Sequence, residues 1–567
     1  MTNENTLTTP YEAKMNRTLP HGEYPRPLLK RDSYLSLNGE WDFAYSVSEP
    51  NAYSEKILVP FCPESRLSGI GRGHTDEESL YYRRSFTIPE GFKNDRIILH
   101  FGAVDQVCEV FINSISTGAH EGGYLPFSFD ITDLIKNGEN EIKVVAEDTL
   151  SELYPYGKQK KKRGGMWYTP VSGIWQTVWL ESLPKSPINK IKITPTVNCV
   201  KIEVDTEAKN KKLTLLDCGE VIEFEENEIT LTPKEIKLWS PENPYLYRFT
   251  LETETDKIES YFALREISVK KVRGVPRLCL NGEPYLFHGL LDQGYFPDGI
   301  YLPATSDGYR EDILTAKSLG FNMLRKHIKI EPAIFYYLCD ELGMVVFQDM
   351  VNNSDYSFIR DTALPTVAFK KLSDKRLHKD KRSREIFINH AKETLSLLYN
   401  HPSVLYYTIF NEGWGQFTAD EVYRKLKSLD ETRVFDATSG WFWQKESDLE
   451  SHHVYFKKLK PKIHPERPTV ISEFGGYSHR CEGHLFGDKN YGYKTFEKRE
   501  DFEMALNRLY LDEVLPLVEN GVSALVYTQI SDVEDETNGF LTYDRKVLKV
   551  DAERFSKISK TIKDASK

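Results

Sequence analysis

Several features are scarce in this 567-residue chain, and each scarcity excludes a class of protein. Its 7 cysteines show no CxxC spacing, which argues against a disulfide framework and indicates reduced thiols in a reducing compartment. No run of about 18 consecutive apolar residues occurs, which excludes a membrane span. Positive charge is outweighed, with 74 Lys and Arg against 85 Asp and Glu. The net charge of −11 argues against nucleic acid or an anionic membrane as the main partner.

The first ten residues also lack a basic segment followed by an apolar one, so we expect no secretory signal and a cytoplasmic enzyme. The acidic balance has one local exception, the basic run from Lys158 to Arg163, which ends in two glycines. A nuclear address or a phosphate grip is one interpretation of this run. A solvated loop is favoured, because one run makes no extended basic face.

Aromatic residues are abundant, at 12% of the chain. Their flat apolar faces match the C–H faces of sugar rings, so they line sugar-binding clefts. They fill the cores of β-sandwiches equally well. The composition is therefore compatible with a carbohydrate partner without requiring one. Whether the chain forms a homo-oligomer is not decided by the composition.

The pattern of apolar residues divides the chain into three predicted domains. Residues 1–185 carry short β-branched and aromatic runs bounded by turn dipeptides such as Asn38-Gly39, which is typical of a jelly-roll β-sandwich. Residues 186–267 continue in short strands, which predicts a smaller immunoglobulin-like sandwich. Residues 268–567 alternate short apolar strands with helical segments, and eight such units predict a (β/α)8 TIM barrel. The predicted barrel strands are 285–291, 322–327, 344–349, 404–411, 434–438, 452–455, 470–473 and 524–528.

Two glutamates stand where predicted barrel strands end. Glu412 follows the fourth strand and Glu473 ends the seventh. The carboxyl ends of barrel strands converge on one mouth, so these side chains are expected to face each other. A facing pair of carboxylates can break a glycosidic bond. The alternative is that each glutamate only ends a strand or caps a helix.

The order of short motifs along the chain is similar to one known family. The motifs are Leu37-Asn38-Gly39-Glu40-Trp41, Gly173-Ile174-Trp175-Gln176, Phe287-His288-Gly289, Asn322-Met323-Leu324-Arg325, Asn411-Glu412 and Ser472-Glu473-Phe474-Gly475. This ordered set resembles glycoside hydrolase family two, the group of β-galactosidases, β-glucuronidases and β-mannosidases. The resemblance spans nearly the whole chain and implies a sugar-binding sandwich ahead of a catalytic barrel.

The resemblance also implies roles for the two glutamates and their neighbours. Glu412 matches the family's general acid/base, Glu473 its nucleophile in a retaining mechanism, and Asn411 the residue that binds the sugar's 2-hydroxyl. Such a mechanism needs two carboxyls about 5 to 5.5 Å apart. Arg325, at the end of strand two, is expected to keep the nucleophile ionised, with an ordinary ion pair as the alternative.

Further residues are candidates for the substrate pocket. The sequence after Arg325 departs from the family's Ser-His-Tyr-Pro string, so the family histidine's role is not simply carried over to His327. His327 is expected in the pocket, with a histidine of the core or one that supports the pocket from behind as the alternative. Asp349 and Asp292 are candidate ligands for sugar hydroxyls, although helix capping would explain them almost as well. Trp414 and Tyr527 are the favoured stacking walls, ahead of Trp441 and Trp443, although core packing is the stronger expectation for any one of the four.

No catalytic metal and no cofactor are expected, while an incidental cation near the acidic mouth is left open. The pair His452-His453 invites a metal interpretation, but adjacent residues of a strand point to opposite faces. One ion would therefore not readily take both imidazoles.

The sugar is predicted less firmly than the reaction. The Asn-x-Lys pair by which family β-glucuronidases resemble one another is absent after Glu473, and the acidic run from Asp532 to Glu536 would repel a uronate. A β-galactoside is the first expectation, with β-glucuronide, β-mannoside and α-L-arabinopyranoside as alternatives. Lys158 to Lys162 would restore uronate binding if that loop reaches the barrel mouth. An inactive carbohydrate-binding protein is the rival from another class.

Overall fold

Alternation of apolar and polar residues builds the N-terminal β-sandwich. In the strand Glu139–Glu147, Ile142, Val144 and Ala146 are buried while the residues between them are partly exposed. The structure, a computed structural model, describes residues 6–364 and 373–566. The strands of this sandwich are β1 Tyr34–Ser36, β2 Gly39–Ser46, β3 Glu55–Val59, β4 Ser79–Thr87, β5 Arg96–Phe101, β6 Val104–Asp105, β7 Val107–Ile112, β8 Ile115–Glu121, β9 Phe127–Asp130, β10 Glu139–Glu147, β11 Gly173–Ile174 and β12 Val178–Leu183.

Two antiparallel sheets form the layers of this sandwich. One has the strand order β1-β12-β5-β9, the other β3-β2-β4-β10-β7-β8, and β6 pairs with β11 beside them. Their inner faces enclose one apolar core that includes Trp41, Phe43 and Tyr82. Two sheets closed over one core are the expected sandwich.

A smaller sandwich follows and has immunoglobulin-like proportions. Its sheets have the orders β13-β14-β17 and β16-β15-β18-β19, all antiparallel. Its strands are β13 Lys190–Pro195, β14 Val200–Asp205, β15 Lys211–Leu215, β16 Glu220–Phe224, β17 Glu228–Leu231, β18 Tyr247–Glu252 and β19 Lys257–Phe262. An antiparallel group, β20 Ile267–Val272, β21 Val275–Leu280 and β22 Glu283–Pro284, leads from it into the barrel.

The C-terminal part is a nearly closed barrel of eight parallel strands in the order β27-β26-β25-β24-β23-β32-β29-β28. The strands are β23 Phe287–Asp292, β24 Met323–Lys326, β25 Val345–Asp349, β26 Val404–Asn411, β27 Val434–Ser439, β28 Glu450–Val454, β29 Thr469–Gly475 and β32 Ala524–Thr528, with a small pair β30 Tyr477–His479 and β31 Lys494–Phe496 above them. These are the predicted strands, with ends shifted by at most two residues and with β26 and β32 at their predicted bounds. The predicted fold class of two sandwiches and a TIM barrel is confirmed.

Helices cover the outside of the barrel. Among the described residues they are α1 Asp307–Ser318, α2 Ala333–Leu342, α3 Lys381–Leu398, α4 Ala419–Lys427, α5 Arg499–Arg508, α6 Leu515–Glu519 and α7 Ala552–Asp564. Short turns are 3₁₀-helical at Glu12–Lys14, Pro27–Leu29, Thr132–Leu134 and Asp374–Arg376, and π-helical at Phe358–Ala363 and Leu509–Val514. No helix in the described part of the chain combines the length and apolar character that crossing a bilayer requires.

Two apolar clusters position the mouth of the barrel. One fills the barrel interior with inward side chains such as Phe287, Met323 and Val526. The other joins the first sandwich to the barrel, because Tyr168 and Trp175 of the sandwich pack in the same cluster as Tyr301 of the barrel. The first sandwich is therefore packed against the carboxyl ends of the barrel strands.

Candidate active site

Arg325 is the centre of the polar groups in the barrel mouth. It belongs to β24, where Met323 packs inside the barrel, and the two-residue period of a strand turns Arg325 inward as well. Its Nε donates to Asp349 Oδ1 at 3.0 Å, its Nη1 to Glu473 Oε1 at 3.0 Å and its Nη2 to Asn411 Oδ1 at 2.8 Å. One buried guanidinium thus joins residues from β24, β25, β26 and β29.

Glu473, the predicted nucleophile, is held as an anion by its neighbours. Besides Arg325, its carboxylate accepts a hydrogen bond from the Tyr455 hydroxyl at Oε2. Burial by itself would raise the pKa of Glu473, but the charges of His453 and Arg325 outweigh burial and hold that pKa well below its ordinary value. Glu473 is therefore ionised across the neutral pH range.

Glu412, the predicted acid/base, faces Glu473 across the mouth. One oxygen of each carboxyl lies within 4.8 Å of the other. The Glu412 backbone has φ +52°, an uncommon conformation for a residue other than glycine, and its N–H donates to the Ser439 carbonyl at 2.9 Å. Its side chain is 17% exposed against 6% for Glu473. Glu412 is thus the more accessible of the two carboxyls.

His453 bridges the two carboxyls, a position that sequence reasoning missed. Its Nδ1 lies 2.7 Å from Glu412 Oε1 and 3.4 Å from Glu473 Oε2. Its side chain is fully buried, and Trp441 packs edge-on against the ring with centroids 5.6 Å apart. His453 lies in the last two residues of β28, the sixth strand of the barrel, and Tyr455 directly follows that strand. This strand-end position is the signal that could have found them.

His327 and Asp349 form a buried pair beside Arg325. His327 Nδ1 lies 2.7 Å from Asp349 Oδ2, while the other Asp349 oxygen accepts from Arg325. Burial, aided by the charge of Lys158, lowers the pKa of His327 to about 4 despite the Asp349 carboxylate. His327 is therefore neutral near pH 7, and Asp349 orients both Arg325 and His327.

The structure does not bring Asp292 to this group. Asp292 ends β23 on the outer side of the barrel wall, where its carboxylate accepts from Lys326 Nζ at 2.6 Å and from the Gly294 N–H at 2.8 Å. Lys326 follows Arg325 on the strand and so points the opposite way. The predicted hydroxyl ligand Asp292 thus belongs to a buried ion pair outside the mouth.

The predicted stacking walls also lie elsewhere. Tyr527 is fully buried and faces outward from β32, with its ring against Phe474 and Phe540 in the layer under the helices. Trp414 is buried among Tyr156 and Trp167 of the first sandwich, with ring centroids 5.3 and 5.2 Å away. Trp414 therefore belongs to the apolar cluster that joins the first sandwich to the barrel, and Tyr527 belongs to the apolar layer between the barrel strands and the helices.

Trp441 and Trp443 occupy different places beside the mouth. Trp441 is partly exposed, and its Nε1 donates to the Glu412 carbonyl at 3.2 Å. Trp443 packs edge-on against His452, with ring centroids 5.2 Å apart. Of the four aromatic candidates, Trp441 is the one that lies directly beside Glu412.

The basic loop of the first sandwich reaches the barrel mouth. The Tyr168 hydroxyl donates to Glu536 Oε2 at 2.7 Å and the Thr169 N–H to Glu534 Oε1 at 2.8 Å. Lys158, at the start of the run, is half-buried, and its charge contributes to lowering the pKa of Glu473. The acidic run from Asp532 to Glu536 is thus largely engaged in holding this loop.

The described residues contain one group of side chains close enough together for a metal ion, namely Glu412, His453 and Glu473. Its carboxylate atoms already accept hydrogen bonds within the protein, from Arg325 and Tyr455 among others. We assign no metal to it, because an ion there would take up both facing carboxyls.

Comparison with known proteins places this geometry in a family. Residues 69–184 match the family model described as glycosyl hydrolases family 2, sugar binding domain. Residues 187–265 match the model described as glycosyl hydrolases family 2, and residues 271–539 match the model of the family 2 TIM barrel domain. The three models describe successive parts of one kind of protein, in the order that the chain shows.

Individual proteins are similar at lower identity. A β-galactosidase of Thermoanaerobacter pseudethanolicus is 29% identical over 299 residues, 48% of this chain and 39% of that protein. A putative β-glucuronidase of Formosa agariphila is 25% identical over 406 residues, 67% of this chain and 44% of that protein. This chain thus spans about two fifths of the length of these curated relatives.

A solved structure shares the fold over almost the whole chain. The β-D-glucuronidase of Dictyoglomus thermophilum superposes with a TM-score of 0.75 at 19% identity, covering 95% of this chain and 98% of that one. At this identity the likeness shows the fold alone. With the sandwich, central and barrel models each matched in turn, the chain belongs to glycosyl hydrolase family 2.

Proposed function

We propose that this protein is a retaining, exo-acting β-glycosidase that hydrolyses terminal non-reducing β-linked sugars, with Glu473 as nucleophile and Glu412 as acid/base. The observation that carries the proposal is the approach of the two carboxyls, whose oxygens lie within 4.8 Å. Retaining glycosidases hold their carboxyls about 5 to 5.5 Å apart, whereas inverting ones leave about 6.5 to 9.5 Å for a water molecule. The separation supports direct attack by a carboxylate.

The first step forms a covalent intermediate. The Glu473 carboxylate attacks the anomeric carbon, the bond from that carbon to the glycosidic oxygen breaks, and Glu412 gives a proton to the leaving oxygen. Arg325 keeps Glu473 anionic before the attack. Glu412 is the better placed group for the leaving side, because its side chain is the more exposed of the two.

The second step releases the sugar. Glu412, now a carboxylate, removes a proton from water, the water oxygen bonds to the anomeric carbon, and the ester bond to Glu473 breaks. Asn411 supports both steps. Its amide oxygen accepts from Arg325, which fixes the amide so that its NH₂ group is the end offered to the sugar's 2-hydroxyl.

A β-galactoside is the first candidate for the sugar. The β-glucuronidases of the family resemble one another in an Asn-x-Lys pair beyond the nucleophile. No such pair occurs after Glu473 in this chain. Among the relatives, the protein of Thermoanaerobacter pseudethanolicus carries the name β-galactosidase. Both points support a neutral sugar by analogy.

A β-uronide is the second candidate, because of Lys158. The charge of this half-buried residue contributes to lowering the pKa of Glu473, of His327 and of Glu536, which supports a position facing the barrel mouth. Among the described residues no carboxylate lies within ion-pairing distance of it. A substrate carboxylate would supply the missing partner. The putative β-glucuronidase of Formosa agariphila adds support by its name.

Hydrolysis of 4-nitrophenyl glycosides tests the reaction. We expect the wild type to cleave a β-linked substrate and Glu473→Gln to lose nearly all activity, because no nucleophile remains. Glu421→Gln, the same substitution at an exposed position of α4, is the control and should leave activity unchanged. No β-glycosidase activity in the wild type would favour a carbohydrate-binding protein, and full activity in Glu473→Gln would remove Glu473 as nucleophile.

A substrate panel with Lys158→Met tests the sugar. The panel holds the β-galactoside, β-glucoside, β-glucuronide, β-galacturonide, β-mannoside and α-L-arabinopyranoside. If a uronide is preferred, Lys158→Met should lower its kcat/KM by about 10- to 100-fold, since a charge-assisted contact contributes roughly 1.5–3 kcal/mol. Lys162→Met, in the exposed part of the same loop, is the matched control. Preference for the galactoside with no effect of Lys158→Met would support the first candidate.

A further inference from the structure

An exposed aromatic side chain stands at the rim of the barrel mouth. Phe456 is 84% exposed, more than any other large apolar side chain in the part of the chain that the structure describes. It lies two residues beyond β28, in the loop at the carboxyl end of the sixth barrel strand, and the carboxyl ends of the strands form the mouth. Phe456 therefore offers most of its ring to solvent on the mouth side of the barrel.

A stack of aromatic rings connects Phe456 to the predicted nucleophile. Its ring packs edge-on against Tyr493 with centroids 5.1 Å apart, and Tyr493 stacks on Tyr455 with centroids 3.7 Å apart. The Tyr455 hydroxyl donates to Glu473 Oε2. Gly476 makes room for this stack, since a Cβ at that position would collide with the Tyr493 ring. The rim at Phe456 is thus continuous with the catalytic carboxylate.

Three lysines flank these rings with their side chains in solvent. Lys457 and Lys458 directly follow Phe456, Lys494 directly follows Tyr493, and all three are exposed. Among the described residues no carboxylate oxygen lies within ion-pairing distance of any of these three ammonium groups. Their charges are therefore not neutralised by an ion pair within the described protein.

The segment that carries Phe456 is locally positive. Residues 456–462 contain four lysines and no acid. The next acid of the same loop, Glu466, pairs with Lys271 at 2.9 Å, and Glu513 accepts from the Leu459 N–H at 2.8 Å. The net charge of the chain is −11, so this positive segment is an exception, and it lies where a substrate enters.

Charge and ring together favour one kind of occupant. With its terminal sugar at Glu473, a substrate leaves the mouth past the rim, so the rim contacts the part beyond the cleaved bond. An aromatic face packs against the C–H face of a sugar ring, and unpaired ammonium groups attract sulfate or carboxylate groups. A neutral saccharide would leave the lysines without a partner, and an apolar leaving group would use Phe456 alone.

We propose that the rim formed by Phe456, Lys457, Lys458 and Lys494 binds a leaving-group saccharide that carries sulfate or carboxylate groups. This inference rests on the proposed function, because it extends the same site to the part of the substrate beyond the cleaved bond. It is independent of which terminal sugar the mouth holds. The rim takes no part in the two bond-breaking steps and acts on binding of the substrate.

Dextran sulfate, an anionic saccharide polymer, is the probe, and uncharged dextran is its neutral counterpart. Calorimetric titration should show that dextran sulfate binds at about 20 mM NaCl and loses most of its affinity at about 500 mM, because salt screens exposed charges. With a nitrophenyl glycoside that the wild type cleaves, dextran sulfate should raise KM with little effect on kcat, since it occupies the entrance to the mouth. Dextran at the same mass concentration should do neither.

Two variants separate the contributions of charge and ring. Lys457→Gln/Lys458→Gln should bind dextran sulfate about fivefold more weakly, since each exposed ion pair contributes modestly. Phe456→Ala should weaken the binding by about threefold, because the contact with the sugar face is lost. Lys425→Gln/Lys560→Gln makes the same two charge changes at exposed positions of helices α4 and α7, and should bind dextran sulfate like the wild type.

The proposal is overturned if dextran sulfate binds no better than dextran, or if the variant at Lys457 and Lys458 binds it as the wild type does. Double-stranded DNA serves as a polyanion of another class. If DNA bound as tightly as dextran sulfate and Phe456→Ala had no effect, the rim would be a general polyanion surface and the assignment to a saccharide would be wrong. Failure of the proposed function is seen separately, because calorimetry does not depend on turnover and Glu473→Gln would then retain activity.

Discussion

A single guanidinium sets the electrostatics of the barrel mouth. Arg325 is buried and donates to Asp349, Glu473 and Asn411, so each acceptor is held in place by the same group. Three acceptors around a planar fork match the donor geometry of arginine, which lysine does not reproduce. Removing this one side chain therefore alters both the position and the ionisation of Glu473.

Arg325→Gln should shift the acid limb of the pH–activity profile. The charge of Arg325 is one of the two main causes that hold the pKa of Glu473 low, against the effect of burial. Loss of a cation disfavours the carboxylate, so the pKa of Glu473 rises and less of it is ionised at a given acidic pH. We expect the acid limb of kcat/KM to move upward by about one pH unit or more, with about a 10²-fold lower maximum.

The profile is measured with a nitrophenyl substrate that the wild type cleaves, from pH 9 down to the lowest pH at which both proteins stay folded, because the low pKa of Glu473 puts the acid limb at strongly acidic pH. Arg310→Gln, on helix α1, makes the same substitution at a partly exposed arginine that pairs with Glu341, and should leave the limb in place. An acid limb that stays where it is in Arg325→Gln would contradict this account of how Glu473 is kept ionised.

Much of the site could be predicted at the level of residues, but the direction of each side chain could not. Glu412, Glu473, Asn411 and Arg325 come together as expected, because all end or follow barrel strands. Tyr527 stands at a strand end too, yet a strand turns alternate residues to opposite faces.

Small irregularities decide which face a strand residue occupies. The pairing of β28 with β29 shifts register between His452 and His453, and a further shift falls between Ile471 and Phe474. Such shifts carry no sequence signal of their own, although they turn His453 and Glu473 toward each other. The sequence therefore predicted which strands bear the site. Which side chains of those strands face into the barrel mouth is given only by the three-dimensional structure.

At the scale of elements, the loop from 153 to 170 connects the first sandwich with the barrel mouth. It has no helical or strand period, so its course could not be read from the sequence. Gln159 anchors it from within, being fully buried. Its Nε2 donates to Asp105 Oδ2 and to the Tyr124 hydroxyl, both at 3.2 Å, and its Oε1 accepts from the Val171 N–H at 2.6 Å. Lys158 is adjacent to this anchor.

Gln159→Leu should loosen the loop and weaken substrate binding. The substitution leaves the Asp105 carboxylate and the Val171 N–H without their partner inside the protein, at a cost of about 1–3 kcal/mol per buried orphan group, whereas Tyr124 keeps its hydrogen bond with Tyr301. We expect a lower midpoint of thermal unfolding and a higher KM, with a smaller effect on kcat because Glu412 and Glu473 do not touch the loop anchor. Calorimetry and steady-state kinetics measure the two effects.

A control for this variant lies in the same loop. Lys161→Leu changes an exposed side chain that pairs with Asp76 at the surface, and both KM and the unfolding midpoint should stay near the wild-type values. If Gln159→Leu lowered the unfolding midpoint but left KM unchanged, the loop would not contribute to substrate binding.

The barrel strands were the most predictable elements. Each predicted strand is present with its ends within about two residues, because parallel strands buried on both faces read as continuous apolar runs. The group β20 to β22 was the exception. Apart from Ile267, its residues fall within the predicted barrel range of 268–567, but they pair antiparallel before the first barrel strand. Strand propensity does not distinguish a strand of the barrel from one that precedes it.

For the whole molecule, the decisive feature is the apolar cluster shared by the first sandwich and the barrel. Trp175 of the sandwich is fully buried, its ring packs edge-on against Tyr301 of the barrel at 4.9 Å, and its Nε1 donates to the Gly123 carbonyl at 2.7 Å. Neither partner can keep this surface buried alone. Sequence reasoning divided the chain into domains and could not foresee that two of them share a core, since packing between distant segments leaves no periodic signal.

Trp175→Ala should therefore destabilise the sandwich and the barrel together. Removing a fully buried tryptophan costs about 3–5 kcal/mol, and Tyr301 beside the cavity belongs to the barrel's own loops. We expect the main calorimetric transition to move to lower temperature, and activity to be lost at the same temperature rather than after it. Val221→Ala, an exposed position of the second sandwich, should change neither. If Trp175→Ala instead produced a separate transition at lower temperature that left activity intact, the barrel would keep its active site formed without the sandwich. The shared core would then not be required for the site.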